Sequence, residues 1–110
     1  MRRSFWLRKF LAKLAPARRV RFVEGDSLPP RLPFFDLVVA REDDENWCVG
    51  LRCPCGCGKP LEMMLLKGVK PRWDIFVDQK GRPTLKPSVW LRVGCRSHFW
   101  LRKGRVVWCE

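Results

Sequence analysis

The sequence predicts a small, mostly β single domain of antiparallel strands and hairpins, preceded by a basic amphipathic helix. Three observations lead to this prediction. The chain has 110 residues, the size of one domain, which leaves no room for a second core. Short runs of Val, Phe, Trp and Leu separated by turn residues begin near residue 20. The residues before them instead show helical periodicity and concentrated positive charge.

The leader, residues 1–19, is predicted to be a basic amphipathic helix in which Ser4 caps the N-terminus and Pro16 stops the helix. Its apolar arc consists of Trp6, Leu7, Phe10, Leu11 and Leu14, and Arg8, Lys9 and Lys13 lie opposite. Such a helix could lie on an anionic surface or in a partner's groove. Alternatively, it could dock on the domain, or the leader could result from a start codon assigned too far upstream.

The net charge of +12 is concentrated at the N-terminus. Residues 1–23 hold eight of the 23 basic residues and no acidic residue, so the rest of the chain carries 15 basic against 11 acidic residues. A basic protein is a candidate for binding nucleic acid or an anionic surface. The remaining excess of +4 is modest, which weakens this interpretation for the domain itself.

Residues 20–110 are predicted to form the β domain, with about seven strand segments of which the last is a hairpin. The segments lie near 20–23, 36–40, 46–52, 61–66, 72–78, 88–93 and 98–109. Lys103-Gly104 is a typical hairpin turn, the proline-rich stretch 27–33 is a loop, and the acidic run 42–45 is a hairpin tip or a solvated loop.

Two cysteine-containing clusters predict a metal site. The first places Cys53, Cys55 and Cys57 in a loop rich in Gly and Pro, and the second presents Cys95 and His98. No apolar run approaches the roughly 18 residues of a membrane span, and no secretory signal is recognisable, so we expect a cytoplasmic protein with reduced thiols. Zinc is preferred over iron for such a thiolate-rich tetrahedral site, with iron as the alternative, and the metal would hold two loops of the domain together.

The spacing leaves two ligand sets open. If His98, the only histidine, binds the metal, then Cys53, Cys57 and Cys95 complete a closed structural site. If Cys55 completes a four-thiolate set instead, His98 is free to act as a general base. Cys48 and Cys109 lie in strand-like segments and are expected to be buried core thiols. A redox role for the thiols is disfavoured because no C-x-x-C motif is present.

Ser88 and Ser97 are the candidate hydroxyl nucleophiles in the domain. Ser97 adjoins His98, but neighbouring side chains of an extended strand point to opposite faces. In a simple hairpin of 88–93 with the following strand, Val93 would face His98 and Ser88 would be about five residues away. Another strand order could bring Ser88 and His98 together. Otherwise Ser97 is a turn hydroxyl and Ser88 begins a strand.

Several ordered motifs between residues 46 and 109 resemble those of one protein family. They are Cys-Pro-Cys-Gly-Cys-Gly (53–58), Pro-Arg-Trp (71–73), Gly-Arg-Pro-Thr-Leu-Lys-Pro-Ser-Val-Trp (81–90), Gly-Cys-Arg-Ser-His-Phe-Trp-Leu (94–101) and Gly-Arg-Val-Val-Trp-Cys (104–109). The pattern resembles the small cysteine-rich bacterial proteins of the BubE type, which occur in some ubiquitin-like conjugation operons. The leader lies outside the resemblance.

The resemblance implies a serine-type peptidase or isopeptidase that processes or removes a ubiquitin-like protein, with zinc holding the fold. Carried over by motif, His98 would be the base, and Ser97 or Ser88 the nucleophile. The metal ligands would be Cys53, Cys55, Cys57 and Cys95. Acyl transfer would also need an oxyanion hole, for which the N–H groups of 94–97 are candidates. Glu62 or Asp74 would orient His98.

The alternative is a non-catalytic zinc module that binds nucleic acid or a protein partner. Its aromatic side chains could stack on bases. The residues concerned are Trp47, Trp73, Trp90, Trp100 and Trp108. Tryptophans at strand spacing in a thin core also serve as packing residues.

Overall fold

The computed structural model describes residues 16–109, which form eight strands in two four-stranded sheets. The first sheet contains β1 (Val20–Glu24), β2 (Leu37–Glu42), β3 (Glu45–Arg52) and β4 (Pro60–Met64). The second contains β5 (Asp74–Val77), β6 (Pro83–Trp90), β7 (His98–Arg102) and β8 (Arg105–Trp108). This confirms the predicted all-β architecture. The helix predicted within the leader lies outside the described residues, and 16–19 are not helical.

Within each sheet the strands follow one another in chain order. All neighbours pair antiparallel except β1 and β2, which are parallel. The long connection 25–36 makes this possible, because parallel neighbours need a crossover whereas antiparallel ones can be joined by a tight turn. Two such turns have positive φ at both central residues, as a two-residue hairpin requires: Asp43-Asp44 and Lys103-Gly104. Both match the predicted hairpin tips.

One strand differs from its predicted position. β6 runs from Pro83 to Trp90, whereas the sequence pattern placed a strand at 88–93. Proline is usually excluded from a central strand because it cannot donate a ladder hydrogen bond, so Pro83 and Pro87 argued against a strand here. The structure accommodates Pro87 where the register of β6 against β7 shifts, between Leu85 and Val89. Such irregularities are among the places where a sheet tolerates proline.

A single cluster of buried side chains joins the two sheets. It contains residues of the first sheet (Leu37, Val39, Val49, Leu51, Leu61, Met63), residues of the second (Leu85, Val89, Phe99, Leu101, Trp108), and also Cys53 and Leu65. Cys48 is buried as expected, and Cys109 is half-buried. The burial of Cys53 in this cluster places the cysteine-rich loop against the core.

The chain segment before β1 also belongs to the domain. The N–H of Arg18 donates to the carbonyl of Gly104, and its guanidinium donates to the carbonyl of Phe35. Arg19 accepts a hydrogen bond from the N–H of Leu37. Within residues 16–109, no helix is long and apolar enough to cross a membrane.

Candidate active site and metal centre

The two predicted cysteine clusters come together in the structure. Cys53, Cys55 and Cys57 lie in the β3–β4 loop and Cys95 lies in the β6–β7 loop, yet their four sulfur atoms are within 4.8 Å of one another. The Sγ of Cys53 is 3.4 Å from that of Cys55 and 3.6 Å from that of Cys95. All four thiols are free. The site therefore joins a loop of one sheet to a loop of the other.

The spacing of the sulfur atoms fits a tetrahedral metal ion. A metal–sulfur distance of about 2.3 Å in a tetrahedron places neighbouring sulfurs about 3.8 Å apart, close to the two short distances observed. Thiolates select zinc, copper(I) or iron over magnesium and calcium. The four thiols together can hold such an ion without an imidazole ligand.

The surroundings of Cys95 and Cys53 shift the pKa values of their thiols in opposite directions. Burial raises the pKa of the Cys95 thiol, but hydrogen bonds from Ser97 and from the other thiols outweigh it and lower that pKa to about 6. Burial raises the pKa of Cys53 to about 12, against opposing hydrogen bonds from the Cys55 backbone and Ser97. Cys95 therefore gives up its proton more readily than Cys53, whose proton is released when a metal ion binds.

Ser97 belongs to this cluster. Its side chain is 3 % exposed, and its Oγ lies 3.2 Å from the Sγ of Cys95 and 3.7 Å from that of Cys53. The backbone N–H of Ser97 also bonds to the Cys95 thiol and contributes to lowering its pKa. Within residues 16–109, no hydrogen bond joins Ser97 to His98.

Ser88 and His98 form the other part of the site. The Oγ of Ser88 is 3.0 Å from Nε2 of His98, and both side chains are half-buried on the outer face of the second sheet. When Nδ1 carries the ring proton, Nε2 accepts a hydrogen bond from the serine hydroxyl. That is the arrangement in which an imidazole activates a hydroxyl nucleophile.

The pairing of β6 with β7 explains this contact. Trp90 is the residue opposite His98, so Ser88 lies two positions along β6 on the same face. Val93 does not pair with His98, as it would in a simple hairpin of 88–93 with the next strand, because 91–97 form the connecting loop and not the end of a strand. The backbone of Ser88 is also fixed, because its carbonyl accepts a hydrogen bond of 3.4 Å from Nε1 of Trp73.

An aromatic stack orients the imidazole. The ring of Trp90 lies parallel to that of His98, with centroids 4.7 Å apart and an interplanar angle of 11°. The guanidinium carbon of Arg92 lies 3.9 Å from the centroid of the Trp90 ring.

Neither acidic residue proposed to orient His98 does so. Asp74 pairs with Arg72 at 3.0 Å, and Glu62 lies on β4 in the first sheet. Across the described part of the chain, no carboxylate hydrogen-bonds to His98. The imidazole is held by Ser88 and by its stack on Trp90.

The tryptophans suggested as stacking platforms have other contacts in the structure. Trp73 and Trp108 pack with the core, and Trp90 contacts His98 and Arg92. Arg102 lies 4.8 Å from the centroid of the Trp100 ring. Trp47 donates its indole N–H to the carbonyl of Glu42.

Comparison with known families agrees with this site. Residues 24–109 match the model of one family, described as BubE, bacterial ubiquitination-like system serine protease. The chain belongs to the BubE family. The matched region includes the four clustered cysteines, Ser88 and His98, and it extends the BubE resemblance of the sequence motifs back from residue 46 to residue 24. Among curated proteins and among solved structures, no match to this BubE chain was found.

Two contacts at the BubE site are not indicated by the sequence patterns. One is the Trp90–His98 stack, and the other is the hydrogen bond of Ser97 to the thiols. Trp90 follows Ser88 by two residues, which puts both on one face of any strand that contains them. Recognising 83–90 as a strand would have been sufficient to predict that Trp90 lies beside the serine.

Proposed function

We propose that this protein is a zinc-stabilised serine peptidase or isopeptidase that processes or removes a ubiquitin-like protein. Ser88 is the nucleophile and His98 is the general base. The observation that carries the proposal is the 3.0 Å contact between Ser88 Oγ and His98 Nε2. The family description, a serine protease of a bacterial ubiquitination-like system, supports both the reaction class and the partner.

The reaction follows from the roles of the two side chains. Ser88 Oγ attacks the scissile carbonyl carbon while its proton passes to Nε2 of His98. The imidazolium then gives this proton to the leaving amine as the carbon–nitrogen bond breaks, which leaves an ester on Ser88. A water molecule, deprotonated by His98, then attacks the ester carbon; as the ester bond breaks, the imidazolium returns a proton to Ser88 Oγ and the carboxylate of the ubiquitin-like protein is released.

The choice of Ser88 over Ser97 rests on geometry. Ser97 is buried and its hydroxyl is directed to the sulfurs of Cys95 and Cys53. Groups that hydrogen-bond to metal ligands orient them and tune their basicity. Ser97 therefore supports the metal centre, and Ser88 performs the chemistry.

The metal has a structural role in this proposal. The ligands are Cys53, Cys55, Cys57 and Cys95, and zinc is the ion that best suits four thiolates in a site with no open position. Cys95 lies in the loop that connects Trp90 of β6 to His98 of β7. When bound, zinc fixes this loop, so the two strands that carry Ser88 and His98 keep their register.

A fluorophosphonate probe tests the assignment without a known substrate. The probe forms a phosphorus–oxygen bond to an activated serine and releases fluoride, and mass spectrometry locates the labelled residue. We expect the wild type to be labelled at Ser88 and the variant Ser88→Ala to remain unlabelled. In His98→Ala the rate of labelling should fall by about 100-fold or more. Ser97→Ala is the matched serine control and should keep the label.

Metal content measured on the same variants distinguishes a site of four thiolates from a site that includes His98 as a ligand. Elemental analysis under reducing conditions should give the same zinc content for the wild type, Ser88→Ala and His98→Ala. Loss of zinc in His98→Ala would make His98 a ligand and overturn the mechanism. Labelling of Ser97 with Ser88 unmodified would overturn the choice of nucleophile. A fusion of the ubiquitin-like protein then serves to measure peptide-bond cleavage directly.

A further inference from the structure

A groove crosses the outer face of the second sheet beside Ser88 and His98. Its volume is about 460 Å³, within the range typical of ligand sites. Its lining includes Arg72, Asp74, Lys86, Pro87, Trp100 and Arg102. Pro87 immediately precedes Ser88, and Trp100 shares the outer face of β7 with His98. The groove therefore adjoins the proposed reacting groups on the same face of the sheet, and Ser88 and His98 themselves lie just outside its lining.

The charges in the groove are unbalanced. Arg72 and Asp74 neutralise one another in an ion pair of 3.0 Å. Lys86 and Arg102 are exposed, and among residues 16–109 neither has an acidic partner. Lys86 lies 5.5 Å from the ring centroid of Phe76, and Arg102 lies over Trp100. Two cations over apolar side chains provide a site for an extended peptide that carries an acidic residue.

We infer that this groove binds the C-terminal tail of the ubiquitin-like substrate, on the acyl side of the scissile bond, and selects an acidic side chain in that tail. The inference rests on the proposed function. The acyl tail is the portion shared by precursors and conjugates, and it is a multi-residue segment. The leaving group of an isopeptide, in contrast, is one lysine side chain, which would leave most of a groove of this size empty.

The strand geometry gives the position of the acidic residue. Lys86 lies two residues before Ser88 along β6, at most about 7 Å away because the strand is irregular at Pro87, and Arg102 lies four residues from His98 along β7, about 13 Å. An extended substrate advances about 3.4 Å per residue. The acidic side chain therefore lies about two to four residues before the scissile carbonyl.

Peptide substrates of matched sequence test the inference. The probes are acetylated pentapeptide coumarin amides with Glu, Gln or Lys at the second, third or fourth position before the scissile bond. We expect wild-type kcat/KM to be about tenfold higher for Glu than for Lys at the preferred position, and the difference to shrink at high salt. The double variant Lys86→Glu/Arg102→Glu should reverse the preference.

The control is Lys80→Glu, a single charge reversal of the same kind in the exposed β5–β6 turn, which should keep the wild-type preference. Binding of the Glu and Lys peptides to Ser88→Ala, measured by calorimetry, gives the same comparison without turnover. Equal kcat/KM or equal binding of the two peptides would overturn the inference, as would an unchanged preference in the double variant.

Fluorophosphonate labelling separates the two possible failures. If Ser88 is labelled in the wild type and in the double variant but the peptides are not discriminated, the groove assignment fails and the proposed function stands. If Ser88 is not labelled in the wild type, the proposed function fails, and the inference that rests on it fails with it.

Discussion

Replacing Trp90 with alanine removes the ring on which His98 is stacked while leaving Ser88 and the four thiols in place. The stack has the centroid distance and parallel geometry of a favourable aromatic pair, which contributes about 0.5–1.5 kcal/mol. If that energy keeps the imidazole in the reactive orientation, its loss lowers kcat by roughly 2- to 13-fold. KM should change little, because Trp90 is not among the residues that line the substrate groove.

The assay combines turnover with NMR spectroscopy. His98 is the only histidine, so its ring proton resonances are unique. In the wild type the indole ring current should shift them upfield, and Trp90→Ala should return them to ordinary positions. Trp90→Phe keeps a ring face and should recover most of kcat.

The matched control for Trp90→Ala is Val93→Ala, which removes an apolar side chain that is 71 % exposed in the adjacent loop. It should leave both kcat and the histidine resonances unchanged. An unaltered kcat in Trp90→Ala, or an equal loss in Val93→Ala, would refute the positioning role of the stack.

Two further predictions concern stability. A chelator added under reducing conditions should unfold the domain, with loss of the strand signal in circular dichroism and recovery on adding zinc. Structural zinc contributes about 10–16 kcal/mol in small peptides, as much as the whole stability of a typical domain; an unchanged unfolding midpoint would contradict this. Gly104→Ala should destabilise more than Gly81→Ala although both glycines have φ +77°. A Cβ at Gly104 would lie 2.5 Å from the Arg18 carbonyl oxygen, whereas the nearest atom at Gly81 is 3.7 Å away. Denaturant titrations should show about 1–2 kcal/mol of backbone strain in both variants and about 1–3 kcal/mol more in Gly104→Ala; equal losses would contradict the contact.

The parts of this fold that depend on local pattern could be predicted from the sequence. Alternation of apolar and polar side chains predicts strands, and three cysteines in a Gly/Pro loop predict a metal site, because both signals lie within a few residues. The parts that depend on pairing between distant segments could not. Because Pro83 and Pro87 argue against a strand, most of β6 was not predicted. Without β6, its pairing with β7, which brings Ser88 to His98, could not be predicted either.

The division of the thiols along the chain bears on the order of folding. Three of them follow β3, and the fourth lies 42 residues after Cys53, in the loop between β6 and β7. Closing a loop of this length costs chain entropy that the ion and the second sheet must offset. Because Ser88 and His98 lie on the two strands that this loop connects, the step that brings Cys95 to the other thiols also brings together the proposed nucleophile and its proposed base. A nascent or damaged chain in which the four thiols have not come together would therefore also lack the contact between Ser88 and His98.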